Sequence, residues 1–229
     1  MGYCVPEHRT WRNRAMNKLL ILCICLTATG CSLLFPRTAG DELAHFEHQA
    51  LALGSQVPNL TFTNLAGEPV ALRSLLDGRP LVVQLGSYSC PVFRNRRFDM
   101  EPIHRKFANQ VAFIVLYTQE AHPAGTPSPY RPDSDKDWVP LVNRLARVDV
   151  TANRTLEERL RRANSSQHAM YSEALYLVDD MQNSGWRRFG QAPSAAFVFD
   201  REGQLVTRQV WVQPREIERK LEGLVGDDR

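Results

Sequence analysis

The sequence predicts an α/β domain, and three observations carry that expectation. Residues 81–85 (LVVQL) form a short apolar run of the kind buried on both faces of a sheet. Residues 111–117 (VAFIVLY) form a second, β-branched run, and the polar, amphipathic segment between the two opens on Cys90-Pro91. A crossover of this length joins parallel strands, so 81–117 reads as a βαβ unit. Third, 192–224 reads as a strand, a hairpin turn at Arg201-Glu202-Gly203, a second strand and an amphipathic helix.

From the N-terminus, Arg9, Arg12, Arg14 and Lys18 precede an apolar run, LLILCICLTATG, that ends at Cys31. The run is too short to span a bilayer and has the build of a secretory signal. Ala28-Thr29-Gly30-Cys31 resembles a bacterial lipobox, with Ala28 where leucine is usual, so Cys31 is the expected lipidation site; an ordinary cleaved signal or an uncleaved anchor is the plainer alternative. Met16, followed by Asn17-Lys18, is a second candidate start. The expected organisation is a signal with a lipobox-like end at 1–31, a tether and short helix at 32–54, and a folded domain at 55–226. The expected location is outside the cytoplasm, on a membrane, through the lipid.

Without residues 1–30 the chain carries 24 basic and 24 acidic residues, a balance that gives no reason to invoke nucleic acid. About 200 residues suffice for one domain with a full hydrophobic core. Of Cys4, Cys23, Cys25, Cys31 and Cys90, only the last is a free thiol once Cys31 is lipidated. A single thiol in an export compartment, where cysteines normally pair, points to reactivity; the plainer alternative is a small buried hydrophobe. Its position, after a strand and at a helix N-terminus with Pro91 in the first turn, favours a thiolate through the helix dipole and free N–H groups.

The remaining elements follow in order. Leu43, Phe46, Ala50 and Leu51 recur at helical spacing behind Asp41. Residues 57–64 and 65–72 read as two strands around a turn at Ala66-Gly67, followed by a helical turn at 73–80. Residues 123–137 are a proline-rich loop, and 138–150 is either a short helix or a surface segment. Thr155 and Glu158 form a possible capping box for a helix over 156–164 whose Arg159, Arg161 and Arg162 read as a solvated face. Residues 175–178 are a strand, 179–190 a turn and short helix. This order is that of a thioredoxin-like domain of the redoxin type, with an N-terminal β-hairpin and a helical insertion. In that fold a cis-proline before the final hairpin lies beside the reactive cysteine, and Pro193 holds that place.

The motifs carry a family resemblance. Gly86-Ser87-Tyr88-Ser89-Cys90-Pro91-Val92-Phe93, with Gln119-Glu120-Ala121-His122-Pro123, resembles the iodothyronine deiodinase family. There the first motif holds selenocysteine, and the second a Glu-Ala-His. Residues 153–159 (NRTLEER), 178–183 (VDDMQN) and Phe189-Gly190 are similar to later stretches of that family, so the resemblance covers roughly 55–225. Cys90 takes the selenocysteine position. Asn153 stands where the family has histidine, Ser194-Ala195 where it has a Glu-Arg pair linked to hormone binding, and Gly125-Thr126-Pro127-Ser128 where it has Asp-Gly-Trp.

The resemblance implies a thiol-dependent oxidoreductase with Cys90 as nucleophile toward a soft electrophile: an aryl iodine, a disulfide sulfur or a peroxide oxygen. On this reading His122 donates a proton to the product and Glu120 orients it. Ser87 and Ser89 are candidate donors to the sulfur or the leaving group. Tyr117 and Pro193 are candidates for the substrate pocket; a core tyrosine and a strand-starting proline are the plainer alternatives, as is a loop histidine for His122. Arg94, Arg96 and Arg97 follow Cys90 closely enough to lower its pKa, with a solvated helix face as the plainer account, and His104 reads as a surface residue. No histidine has partners at ligand spacing, so no metal is expected. With one cysteine the oxidised product must be resolved by an outside thiol, so the implied partners are a thioredoxin-like or small-thiol reductant and a small-molecule substrate, with no bound cofactor. Two other readings stay open. One is a one-cysteine peroxidase, for which Ser87, three before Cys90, matches the peroxiredoxin pattern while Val83 does not. The other is a non-catalytic, lipid-anchored binding domain.

Overall fold

The computed structural model describes residues 45–130 and 138–226; the leader with Cys31, the tether up to residue 44 and the loop at 131–137 lie outside the described residues. The described elements, in order, are β1 (Thr61–Asn64), β2 (Pro69–Ala71), a 3₁₀ turn (Leu72–Leu75), β3 (Leu81–Gly86), α1 (Pro91–Phe107), β4 (Ala112–Tyr117), α2 (Val139–Leu145), α3 (Leu156–Ala169), β5 (Leu175–Val178), α4 (Ser184–Arg188), β6 (Ala196–Phe199), β7 (Leu205–Gln209) and α5 (Pro214–Gly226). Residues 45–49 add a short helical stretch ahead of β1.

The seven strands form one sheet in the order β2-β1-β5-β4-β3-β6-β7. β3 and β4 pair in parallel from Leu81↔Ala112 to Gly86↔Tyr117, which is the crossover expected around α1. β5 continues the parallel set beside β4, while β6 runs antiparallel to β3 and β7 antiparallel to β6. The β1–β2 hairpin is closed by Asn64, whose Oδ1 accepts from the Ala66 and Glu68 amides at 3.0 and 2.9 Å, with Gly67 at φ 86° in the turn.

Side chains alternate along each strand, so the central pair supplies two apolar layers. Val82, Phe113, Val115 and Val198 meet Phe93, Met100 and Phe107 of α1 and Ile217 and Leu221 of α5. On the other face Leu81, Val83, Leu85, Ile114 and Leu116 meet Phe46, Leu72, Phe189 and Phe199. All six residues of β3 are buried. The strand therefore brings its carboxyl end, Gly86, and the turn to Cys90 onto a rigid platform.

Several expectations are corrected by burial. Arg97 is 1% exposed: its Nη1 donates to Gln84 Oε1 at 2.6 Å and its Nε to Glu101 Oε1 at 2.8 Å. Arg159 is 2% exposed, not solvated, because its Nη1 donates to the carbonyls of Asp179 and Asp180. His104 is half-buried, its ring 4.9 Å from that of Phe113. Residues 139–145 resolve as helix α2. The capping box forms, with Thr155 Oγ1 accepting from the Glu158 amide at 3.2 Å and Glu158 Oε2 accepting from the Arg154 amide at 2.7 Å. No cis peptide bond occurs among the described residues, so Pro193 is joined by a trans bond.

Candidate active site

Cys90 closes the turn after β3 and is the N-cap of α1. Its amide donates to the Ser87 carbonyl at 3.1 Å, and its sulfur accepts from the Phe93 amide at 3.5 Å. Gly86 is required here for space. A Cβ on it would stand 2.0 Å from the Phe93 ring, which is fully buried beneath the turn.

The Glu120-Ala121-His122 segment follows β4, the parallel neighbour of β3, so both motifs emerge at the same sheet edge. Hydrogen bonds lace them together. Ser87 Oγ accepts from the Ala121 amide at 3.0 Å, and Ser89 Oγ from the His122 amide at 2.9 Å. Glu120 Oε2 accepts from the Ser89 amide at 2.8 Å, while its Oε1 accepts from the Tyr117 hydroxyl. The Tyr117 oxygen in turn accepts from the Tyr88 amide at 3.0 Å. The paired "Ser-x-Ser-Cys" and "Glu-Ala-His" patterns are thus two halves of one polar lock. Ser87, Ser89, Tyr117 and Glu120 are all buried, so the Glu120 bonds and the Ala121–Ser87 bond lie out of competition with water, while those of the Tyr88 and His122 amides are part-buried. The serine oxygens hold the histidine segment, and His122 is half-buried at its end.

The sulfur is 1% exposed. Burial pushes the Cys90 thiol up to about 11, against the Phe93 and Val92 amides and the Arg94 charge, which pull it down. The thiolate expected from the helix terminus is therefore not the resting form in this conformation. Burial and the Glu120 charge likewise push the Tyr117 hydroxyl well above its ordinary value, keeping it a neutral donor.

Pro193 is buried ahead of β6. The β3–β6 register pairs Gln84 with Ala196, and the Leu85 amide donates to the Ala195 carbonyl at 2.8 Å, two residues after Pro193. Asn153 has both amide atoms buried without a hydrogen-bond partner, and so does the Ser194 hydroxyl.

Sequence reasoning missed Asn143 and left Arg94 as one of three arginines close enough to act on the thiol. Asn143 is 1% exposed, the one buried residue of α2; its Nδ2 donates to the Ser89 carbonyl at 2.7 Å and its Oδ1 accepts from Arg94 Nη2 at 2.9 Å. Arg94 also donates from Nη1 to the Tyr88 carbonyl at 2.5 Å. No local pattern marks Asn143, and Arg94 is indistinguishable in sequence from Arg96 beside it. A groove of 890 Å³ between α1 and α5, bordered by Phe98, Pro102 and Arg219, does not include Cys90.

Solved structures with similar architecture are a putative protein disulfide isomerase from Bacteroides thetaiotaomicron (TM-score 0.52, 15% identity, 77% of this chain and 91% of that one) and a putative thiol:disulfide interchange protein DsbE from Chlorobium tepidum (TM-score 0.52, 14% identity, 78% and 98%). At that identity they establish the thioredoxin-like fold. In sequence, the chain is 26% identical over 155 residues to a type I iodothyronine deiodinase of Xenopus laevis, covering 67% of this chain and 55% of that protein. It is 27% identical over 137 residues to a thyroxine 5-deiodinase of Sparus aurata, covering 56% and 51%. It is 30% identical over 106 residues to the human thyroxine 5-deiodinase, covering 44% and 35%. The chain thus spans about half the length, or less, of these curated relatives. Residues 41–209 match the family model of the iodothyronine deiodinases, a stretch that includes both halves of the polar lock, and the chain belongs to that family.

Proposed function

We propose that the chain is a thiol-dependent oxidoreductase that removes iodine from an aryl ring by reduction, with Cys90 as nucleophile. The observation that carries this reading is the lock itself: Cys90 at a helix N-terminus, with Glu120 and His122 both bonded to Ser89 and Ala121 bonded to Ser87. The Cys90 thiol first loses its proton. The sulfur electron pair then attacks iodine, forming S–I as C–I breaks with its pair on the ring carbon, and that carbon takes a proton from His122. The net change is aryl iodide plus thiol to arene plus sulfenyl iodide. An external thiol displaces iodide to give a mixed disulfide and a proton, and a second thiol regenerates Cys90 and leaves as a disulfide. Glu120 holds the turn through Ser89, and the family membership supports the reaction class. Because Cys90 is buried, substrate must open the turn around it, a turn to which α2 is tied by the Asn143–Ser89 hydrogen bond.

The leader and Cys31 support an exported, lipid-anchored placement of this activity. The test of function is iodide release from 2-iodophenol and from an iodothyronine by the full chain with excess dithiol, beside Cys90→Ser and His122→Ala. Release that requires Cys90 and falls at least about tenfold in His122→Ala is expected. Release no greater than that of Cys90→Ser would reject reductive deiodination; rapid loss of the Cys90 thiol to peroxide in the same preparation would point to a peroxidase.

A further inference from the structure

Three arginines follow Cys90 within two turns, and among the described residues Arg94 has no ion pair with a carboxylate, although the Glu120 charge acts on it. Arg96 pairs with Asp99 at 3.1 Å on the surface, and Arg97 pairs with Glu101 at 2.6 Å in the core. Arg94 is half-buried, and its hydrogen-bond partners among the described residues are neutral acceptors: the Tyr88 carbonyl and Asn143 Oδ1. A guanidinium withdrawn from water normally acquires an anion. This one sits four residues after Cys90, on the same helix face, and its charge and that of the sulfur act on each other.

We propose that Arg94 is the electrostatic partner of the Cys90 sulfur, stabilising its negative charge when the thiol ionises, and that Asn143 is the positioning residue that aims the Arg94 guanidinium. Both arms of the Asn143 amide are used, one on Arg94 and one on the carbonyl of Ser89, the residue before Cys90. Helix α2 therefore fixes the cation and the nucleophile's turn relative to each other with a single side chain. The other titratable groups around the sulfur are Tyr88 of the turn, Tyr117 of β4, and Glu120 and His122 of the segment after it. The Glu120 charge opposes ionisation of the thiol, and its carboxylate is already engaged by Tyr117 and Ser89. Behind Tyr117 lie Arg159 and Arg162 of α3, whose charges act on that hydroxyl. Arg94 is the cation whose charge acts on the sulfur itself.

The inference rests on Cys90 being the reactive group of the proposed function, and its test needs no turnover. The full chain is treated with iodoacetamide across pH 6–11, and alkylation is followed on the Cys90-bearing peptide so that other cysteines do not contribute. Arg94→Gln should move the profile about one unit upward and slow alkylation about tenfold at neutral pH, the scale set by removing an adjacent opposite charge. Arg94→Lys should recover part of that shift, and Asn143→Ala should fall between the wild type and Arg94→Gln. A profile for folded Arg94→Gln that overlays the wild type would overturn the assignment of Arg94, and an unshifted Asn143→Ala profile would overturn the positioning role. If Arg94→Gln does not fold, the wild type alone decides. Anionic iodoacetate should gain on neutral iodoacetamide at Cys90 relative to free cysteine, and a ratio at or below that of free cysteine would reject an uncompensated cation. A shifted profile without iodide release would leave this inference standing while the proposed reaction falls.

Discussion

Arg94 and Arg97 lie one turn apart on α1 and illustrate two uses of a buried cation. Arg97 is paired with a carboxylate in the core. Glu101 takes its charge, Gln84 of β3 takes Nη1, and the Ser172 hydroxyl donates to the same Glu101 Oε1 at 2.7 Å. Arg94 is held as firmly in direction but by neutral oxygens, so its charge remains available to the sulfur. Where the protein pairs a buried charge with a carboxylate it builds structure; where it orients the charge with neutral oxygens, that charge is free, on the proposed reading, to act on the neighbouring sulfur.

The largest expected effect breaks the structural half of this contrast. Arg97→Ala leaves the Glu101 carboxylate buried and unpaired and should cost about 4 kcal/mol in chemical denaturation, whereas Arg97→Met with Glu101→Leu should come near the wild type. Arg94→Gln should cost far less in the same assay while changing thiol reactivity far more. Equal stability losses at the two positions would abolish the distinction.

The acid limb of stability probes the same pair. Burial opposes ionisation of Glu101, but the His104 imidazole, the Arg97 charge and the bonds from Ser172 and the Glu173 amide bring it to about 2. Its folded value lies below the ordinary one of 4.5. The ionised carboxylate therefore contributes stability that is present above about pH 4.5 and is lost as pH falls toward 2, up to about 3 kcal/mol. Denaturation midpoints measured from pH 6 to 2 should show this limb, and Glu101→Gln should flatten it. Next in size, Glu120→Gln keeps one acceptor for the Ser89 amide or the Tyr117 hydroxyl but removes the charge. A loss of about 1–2 kcal/mol is expected, with a clear fall in activity. The smallest effect belongs to Arg96→Ala, which removes an exposed pair with Asp99 and should change stability by less than about 0.5 kcal/mol.

Much of the frame was legible in the sequence because it rests on local signals. The apolar runs of β3 and β4, Pro91 at the helix start, the Thr155–Glu158 cap and the Gly203 turn each declare themselves within a few residues. The two halves of the lock were legible as motifs, although their mode of joining was not: the serines look like donors to sulfur, and in the fold their oxygens accept the Ala121 and His122 amides. The fates of the arginines were illegible for a different reason. Arg97 is decided by Gln84 and Glu101, Arg159 by carbonyls some 20 residues along the chain, and Arg94 by Asn143, 49 residues away. Charge patterning on one helix cannot separate them, since all three look solvated until distant partners arrive. Position likewise misled for Cys90. A helix N-terminus lowers a thiol's pKa, but complete burial outweighs it.

The most direct measurement is a single turnover of the full chain with an iodinated phenol and no external thiol, reading iodide released and the mass of the Cys90-bearing peptide together. Iodide release on later addition of thiol, matched one-for-one by oxidised Cys90 and absent in Cys90→Ser, is the expected result. Dehalogenated product formed while Cys90 stays a free thiol throughout would contradict a nucleophilic role for it.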